Sequence, residues 1–316
     1  MTGFNESFKI GEVEFKNTVL TASGTYGFGL EYARLIDVSK LGGIATKGLS
    51  LKPKMGNSGE RIYETPGGML NSIGLENPGV DSFIKDYLPK AAKLGTQIIA
   101  NISGANLEEY GEMAEALDDQ KDVAALEVNI SCPNVKAGGI AFGTDINMVR
   151  KVTALVKAKT TKPVIIKLSP NVTDITQFAM AAEAEGADAL SMINTLIGMG
   201  IDINKRKPIL GNVIGGLSGP AIKPVALRMV YQTAQKVKIP IIGMGGISDT
   251  RDALEFLLAG ASGIMTGTIN FREPQRSLEI VDGIKNYCID NGFKSVSEIV
   301  GLAWKEDKNV KVNSCS

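Results

Sequence analysis

Eight short apolar runs organise this 316-residue chain, each followed by a turn rich in Gly, Ser or Asn and then by a helix-like pattern. They are "TVLTASG" (18–24), "GIATKG" (43–48), "QIIANIS" (97–103), "ALEVNIS" (125–131), "PVIIKLS" (163–169), "ALSMINT" (189–195), "PIIGMGG" (240–246) and "GIMTGT" (263–268). Nearly continuous apolar runs, rather than strict alternation, suit parallel strands buried on both faces. The segments between them have helical spacing. "SDTRDALEFLLAG" offers Ser248 as N-cap, Ala253, Leu254, Leu257 and Leu258 along one face, and Gly260 as the stop. "TDITQFAMAAEAEG" repeats the plan with Thr173 and Gly186. Eight such units in about 250–300 residues match the size and rhythm of a (β/α)8 barrel. A doubly wound sheet is the structural alternative, but no G-x-G-x-x-G turn follows the first run. The expected fold class is therefore α/β, a (β/α)8 TIM barrel forming one domain over residues 1–316, with a loose polar tail from about residue 305.

Two connections are too long for plain turns. Residues 49–77 contain "ETPGGMLNSIGLENPG" and residues 196–223 contain "LGNVIGGLSGP". Long loops after strand C-termini are where a barrel builds its site. Ahead of the barrel, "FKIGEVEFKN" (8–17) reads as a hairpin with its turn near Gly11 and Glu12, placed to plug the barrel bottom.

Composition narrows the chemistry. Lys plus Arg and Asp plus Glu are 34 each, which gives no basic surface for nucleic acid or a polybasic membrane anchor. No apolar run approaches the ~18 residues of a membrane helix, and the N-terminus lacks a signal-peptide pattern. Three widely spaced cysteines (132, 288 and 315) form neither a disulfide framework nor a metal knuckle, so a reducing cytoplasm is the expected location. There are no histidines, which removes Ser-His-Asp and Cys-His nucleophile systems and His general bases. Acidic residues do not cluster at metal-ligand spacing, and no metal is expected in this chain.

In a barrel the strand C-termini share one face. Reading the strand ends gives Ser23, Lys47, Asn101, Asn129, Lys167, Asn194, Gly245 with Gly246, and Gly267 with Thr268. Each Lys or Asn alone could be a snorkelling or capping residue. Five on one rim point to a ligand. Glycine-rich ends on the last two strands suit a phosphate held by backbone N–H groups, from a phosphorylated substrate or a cofactor such as FMN. Glycines that merely permit tight turns are the plainer alternative.

Cys132 stands just past the fourth run, before Pro133, in a loop holding Gly138, Gly139 and Gly143. A free cysteine is commonly a small buried hydrophobe. Its place beyond the strand, in a glycine-hinged loop, favours one that reaches a substrate when the loop closes. Cys288 sits in a helical pattern and reads as core, and Cys315 lies in the tail.

At these residues the chain resembles the dihydroorotate dehydrogenase family, the flavin barrels of pyrimidine synthesis. The resemblance runs through "TASGTYGFG", "ATKGLS", "GGMLNSIGLENPG", "NISCPNVKAGGIAFGTD", "VIIKLSPNVTDI", "MINT", "GGLSGPAIKP", "IIGMGGI" and "IMTGT". It implies one FMN per chain, with the phosphate on Gly245, Gly246, Gly267 and Thr268 near Gly219, and with Ser23, Lys47, Gly48, Asn101, Asn129, Lys167 and Ile193 around the flavin. It implies that dihydroorotate is held by Lys47, Asn71, Ser72, Ile73, Gly74, Leu75, Asn129, Asn194 and Thr195. Cys132 would be the catalytic base, taking the C5 proton while the C6 hydride passes to flavin N5.

The family divides by base and electron acceptor. Membrane-bound members use serine and carry an N-terminal extension; this chain, with Cys132 and no such segment, resembles the soluble class. "CPNVKAGGIAFGTD" and "GMLNSIGLENPG" resemble the NAD-linked form, class 1B. That implies a homodimeric catalytic core within a heterotetramer, with FAD and a 2Fe-2S cluster on a partner electron-transfer subunit; three cysteines are too few to hold the cluster here. The alternatives are a fumarate-linked homodimer of class 1A type, a flavin-dependent dihydropyrimidine dehydrogenase, and a metabolite-binding barrel without catalysis.

Overall fold

The computed structural model describes residues 4–131 and 142–305. All eight apolar runs become strands: β1 (Val19–Thr21), β2 (Gly43–Ala45), β3 (Gln97–Ile102), β4 (Ala125–Asn129), β5 (Val164–Lys167), β6 (Ala189–Met192), β7 (Ile241–Met244) and β8 (Gly263–Thr266). Each pairs in parallel with its chain neighbours, and β8 closes onto β1, giving an eight-stranded barrel ringed by helices. The doubly wound alternative is excluded by this closure.

Alternation along each strand explains the continuous apolar runs. Val19, Ile44, Ile98, Leu126, Val164, Leu190, Ile241 and Ile264 face outward into the layer shared with the helices. Leu20, Ala45, Ile99, Ala125, Ile165, Ala189, Ile242 and Met265 face inward and fill the barrel. Gly243 on β7 leaves room for a helix residue: a Cβ there would lie 2.6 Å from the Phe256 ring. Phe256 is fully buried and, with Ala253 and Leu257, anchors the helix Thr250–Ala259; Leu254 and Leu258 are only partly buried.

The helix starts differ by one residue from expectation. Asp249, not Ser248, caps Thr250–Ala259, its carboxylate accepting from Asp252 N at 2.9 Å. Asp174, not Thr173, caps Ile175–Ala184, accepting from Thr176 N at 3.0 Å. In both cases the carboxylate stands where it meets the orphan N–H groups of the first turn. Gly260, at φ +117°, ends its helix as expected.

The N-terminal hairpin pairs Phe8–Ile10 with Val13–Phe15, and its turn uses Gly11 at φ +54°. Ile10 and Phe15 are fully buried in the inner barrel cluster. Phe15 abuts Gly43 and Phe8 abuts Gly263, the first residues of β2 and β8, so the hairpin closes the N-terminal end. The opposite end is thereby left for a ligand.

The two long connections are not separate loops. Strands Leu196–Gly198, Gly215–Ser218, Gly68–Asn71 and Ile62–Thr65 form one antiparallel four-stranded sheet across them. Among the described residues no helix is long and apolar enough to cross a membrane.

Candidate active site

Continuing the inward register by two residues from the apolar inner layer changes its chemistry. Ala45 leads to Lys47, Ile99 to Asn101, Ala125 to Glu127 and then Asn129, Ile165 to Lys167, and Ala189 to Ser191. The polar rim anticipated from the strand ends thus stands directly above the apolar plug.

Its one acidic member is Glu127, which is fully buried. The Oε1 atom accepts from Ser191 Oγ at 2.7 Å, and Oε2 accepts from Asn101 Nδ2 at 2.5 Å. Lys167 Nζ lies 3.6 Å from Oε2, and the Lys167 side chain is 6% exposed. A carboxylate in the interior requires such partners. Neither Glu127 nor Ser191 stood out in the sequence. For Glu127 the signal was faint but present: "ALEVNIS" puts a charge on the inward parity of a core strand.

Asn101 is fully buried, yet its Oδ1 has no hydrogen-bond partner. A Cβ on Gly48 would sit 3.1 Å from that oxygen and 2.8 Å from Leu75 Cδ1, so Gly48 and Leu75 flank it. Higher on the rim, Asn194 Nδ2 donates to Asn129 Oδ1 at 3.2 Å, and Asn129 Oδ1 also accepts from Ser131 N. Tyr110 holds the Asn129 carbonyl at 2.8 Å. Thr195 packs against Gly216, where a Cβ would collide with its hydroxyl. Gly216 pairs with Asn71, whose Nδ2 donates to the Gly216 carbonyl at 3.3 Å. The four-stranded sheet, a lid at this end of the barrel, therefore joins Asn71 to Thr195, Asn194 and Asn129.

Ser72, nearly buried, follows Asn71 with an unpartnered Oγ. Ile73 is half-buried, Gly74 takes φ +76° and Leu75 φ +56°, carrying the chain back toward Gly48. Lys47 is half-buried, anchored through its N–H to the Gly27 carbonyl at 2.8 Å. The Glu76 carboxyl is held below the usual carboxylate range, first by the hydrogen bond from Arg61 and also by the nearby charge of Lys47.

A second corner forms from glycines. Gly245 (φ +122°), Gly246 (φ +78°) and Gly219 (φ +97°) all adopt backbone that L side chains resist. A Cβ on Gly246 would lie 2.9 Å from the Gly219 carbonyl, and one on Gly245 would lie 3.4 Å from Ile193. Thr268 Oγ1 donates to Ser218 Oγ at 2.8 Å, tying the end of β8 to this corner. A Cβ on Gly267 would meet only Ala22 and Thr25, at 3.8 and 3.9 Å. Ser23, half-buried, lies between them in the chain. Cys132, Gly138 and Gly139 lie outside the described residues, as does Cys315. Cys288 is core, as expected.

The dihydroorotate dehydrogenase family model matches residues 7–288. The chain belongs to the dihydroorotate dehydrogenase family. It is 56% identical over 295 residues to a protein of Geotalea uraniireducens, covering 93% of this chain and 97% of that relative. A Desulforamulus reducens relative is 55% identical over 299 residues, 95% and 98% of the two chains. A Parabacteroides distasonis relative is 54% identical over 292 residues, 92% and 96%. All three are named dihydroorotate dehydrogenase B (NAD(+)), catalytic subunit. Two features of this dehydrogenase barrel fit a flat, phosphate-bearing cofactor. One is the buried, unpartnered Asn101 acceptor; the other is the glycine corner that side chains would fill.

Proposed function

We propose that this chain is the FMN-bearing catalytic subunit of an NAD-linked dihydroorotate dehydrogenase, oxidising (S)-dihydroorotate to orotate in pyrimidine synthesis. The observation that carries the reading is the two-ended site at one barrel face: a glycine corner at one end, and an Asn/Lys rim with an orphaned acceptor at the other. The names of the relatives support the substrate and the acceptor.

Gly245, Gly246, Gly267, Thr268 and Gly219 would hold the FMN phosphate through close backbone approach. Ser23, Gly48, Asn101, Lys167 and Ile193 would surround the ring system. When bound, FMN supplies the hydride acceptor. Asn129, Asn194, Asn71 and Thr195 orient the substrate, because an amide offers a donor and an acceptor to a planar ring edge. Lys47 meets its carboxylate, and Ser72, Ile73, Gly74 and Leu75 close around it. The lid sheet over the rim excludes water. Cys132 takes the C5 proton; its thiolate, not its thiol, is the base. A partner subunit carrying FAD and 2Fe-2S would supply the route to NAD, on a homodimeric core assembled as a heterotetramer in the cytoplasm.

Anaerobic mixing of the purified protein with dihydroorotate, followed at the flavin absorption band, tests this reading. The expected result is rapid bleaching that slows by orders of magnitude in Cys132→Ser and speeds up with pH as a thiol of pKa ~8.5 ionises. Bleaching unaffected by the substitution, or a flat pH profile, would remove Cys132 from its role. A protein that binds no flavin would refute the whole assignment.

A further inference from the structure

Among the described residues the mechanism leaves one buried charge unused. Glu127 touches neither the rim asparagines that meet substrate nor the glycine corner. It lies below them with both oxygens occupied by Asn101 and Ser191 and with Lys167 beside it. The four residues come from β3, β4, β5 and β6, consecutive strands whose register sets Asn101 opposite Glu127 and Lys167 opposite Ser191. An ionised carboxylate only accepts hydrogen bonds, so it fixes the Asn101 amide with Nδ2 inward. Oδ1, the atom without a partner, is thereby turned away from Glu127.

The distance to Lys167 is informative. At 3.6 Å the ammonium is within charge range but beyond a hydrogen bond. Glu127 therefore supplies a counter-charge without taking up the three ammonium donors. In a buried site the two charges cancel for anything bound above them, while the donors stay available.

We propose that Glu127 is a positioning residue that neutralises Lys167 and so sets the redox poise of the bound flavin. This rests on the FMN reading above. With Glu127 ionised, the pair presents a dipole rather than a net positive charge. With it neutral, the unopposed ammonium favours the more negative, reduced flavin.

The test uses the full chain with FMN bound, titrated anaerobically against indicator dyes of known potential at pH 7. Glu127→Gln keeps an acceptor for Asn101 and a polar partner for Ser191, and removes only the charge. Its midpoint is expected to rise, with the reduced form favoured at least tenfold, or ~30 mV for a two-electron couple. Ser191→Ala removes a hydrogen bond to Glu127 but no charge, and leaves the midpoint unchanged. The double variant Glu127→Gln/Lys167→Met, which lacks both charges, has a lower midpoint than Glu127→Gln alone. An unchanged or lowered midpoint in Glu127→Gln, or an equal shift in Ser191→Ala, overturns the proposal. If Glu127→Gln does not fold, the double variant is compared with Lys167→Met, whose remaining carboxylate should give it the lower midpoint; equal midpoints overturn the proposal. Loss of the fold in both makes Glu127 a structural residue and refutes it. If the wild type carries flavin and Glu127→Gln leaves its midpoint unmoved, this inference alone falls. A wild type without flavin would sink the function assignment with it.

Discussion

Gly246 and Gly292 share a backbone angle, φ +78°, and differ in everything around it. Gly292 follows the helix Arg276–Asp290, and a Cβ there would meet nothing within 4 Å. A Cβ on Gly246 would lie 2.7 Å from Lys223 Cβ, 2.9 Å from Lys223 N and 2.9 Å from the Gly219 carbonyl. Carbon atoms prefer separations of about 3.5–4.0 Å, so the contact with Lys223 falls short by roughly 1 Å. Alanine at either position carries the left-handed penalty of about 1–2 kcal/mol. Only Gly246→Ala adds a collision, and its partners cannot swing aside: two of the three atoms are backbone and the third is a Cβ. The turn at the end of β7 must move, and the glycine corner moves with it. Since each 1.4 kcal/mol is a tenfold change in binding, FMN affinity is expected to fall at least tenfold in Gly246→Ala and to stay near wild type in Gly292→Ala. The assay is reconstitution of apoprotein with FMN followed by quenching of flavin fluorescence, alongside urea denaturation of both apo variants. The denaturation should show a loss in both, larger for Gly246→Ala. Wild-type FMN affinity in Gly246→Ala would refute the assignment of this corner to the phosphate. Equal loss of affinity in the two variants would refute close approach as the cause.

Three further outcomes are expected. Phe15→Ala, fully buried at the open end of the hairpin plug, should cost about 3–5 kcal/mol in denaturant unfolding; a loss under 1 kcal/mol would show that the plug does not seal the barrel. Gly216→Ala should raise KM for dihydroorotate, because a Cβ there collides with the Thr195 hydroxyl and separates the lid sheet from the rim; an unchanged KM would disconnect the lid from the substrate. Burial pushes the Cys288 thiol up to about 11, with Glu298 and Glu6 adding to the effect. The unfolded chain then releases this proton at lower pH than the folded one, so stability falls as pH rises from about 9 toward 11. Cys288→Ala should flatten that fall in denaturation curves taken across this range; parallel curves would contradict it.

The sequence by itself determined the barrel, because parallel strands buried on two faces must be written as short continuous apolar runs, and eight of them are visible. It also determined the plug and most of the rim, since a Lys or Asn ending such a run has few other places to go. Asn101, Asn129, Lys167 and Asn194 were legible in this way. Cys132, which the family resemblance implies as the base, lies outside the described residues. Which of two adjacent polar residues caps a helix was not legible: Asp249 and Asp174 won over Ser248 and Thr173 by the direction of a side chain, which composition does not encode. The lid sheet was decided only in three dimensions. Asn71 and Gly216 are 145 residues apart, and pairing between distant segments leaves no local period to read. Glu127 was hidden for a related reason. A carboxylate inside an apolar run is a contradiction along the chain, and only the partners that three other strands bring to it make it stable.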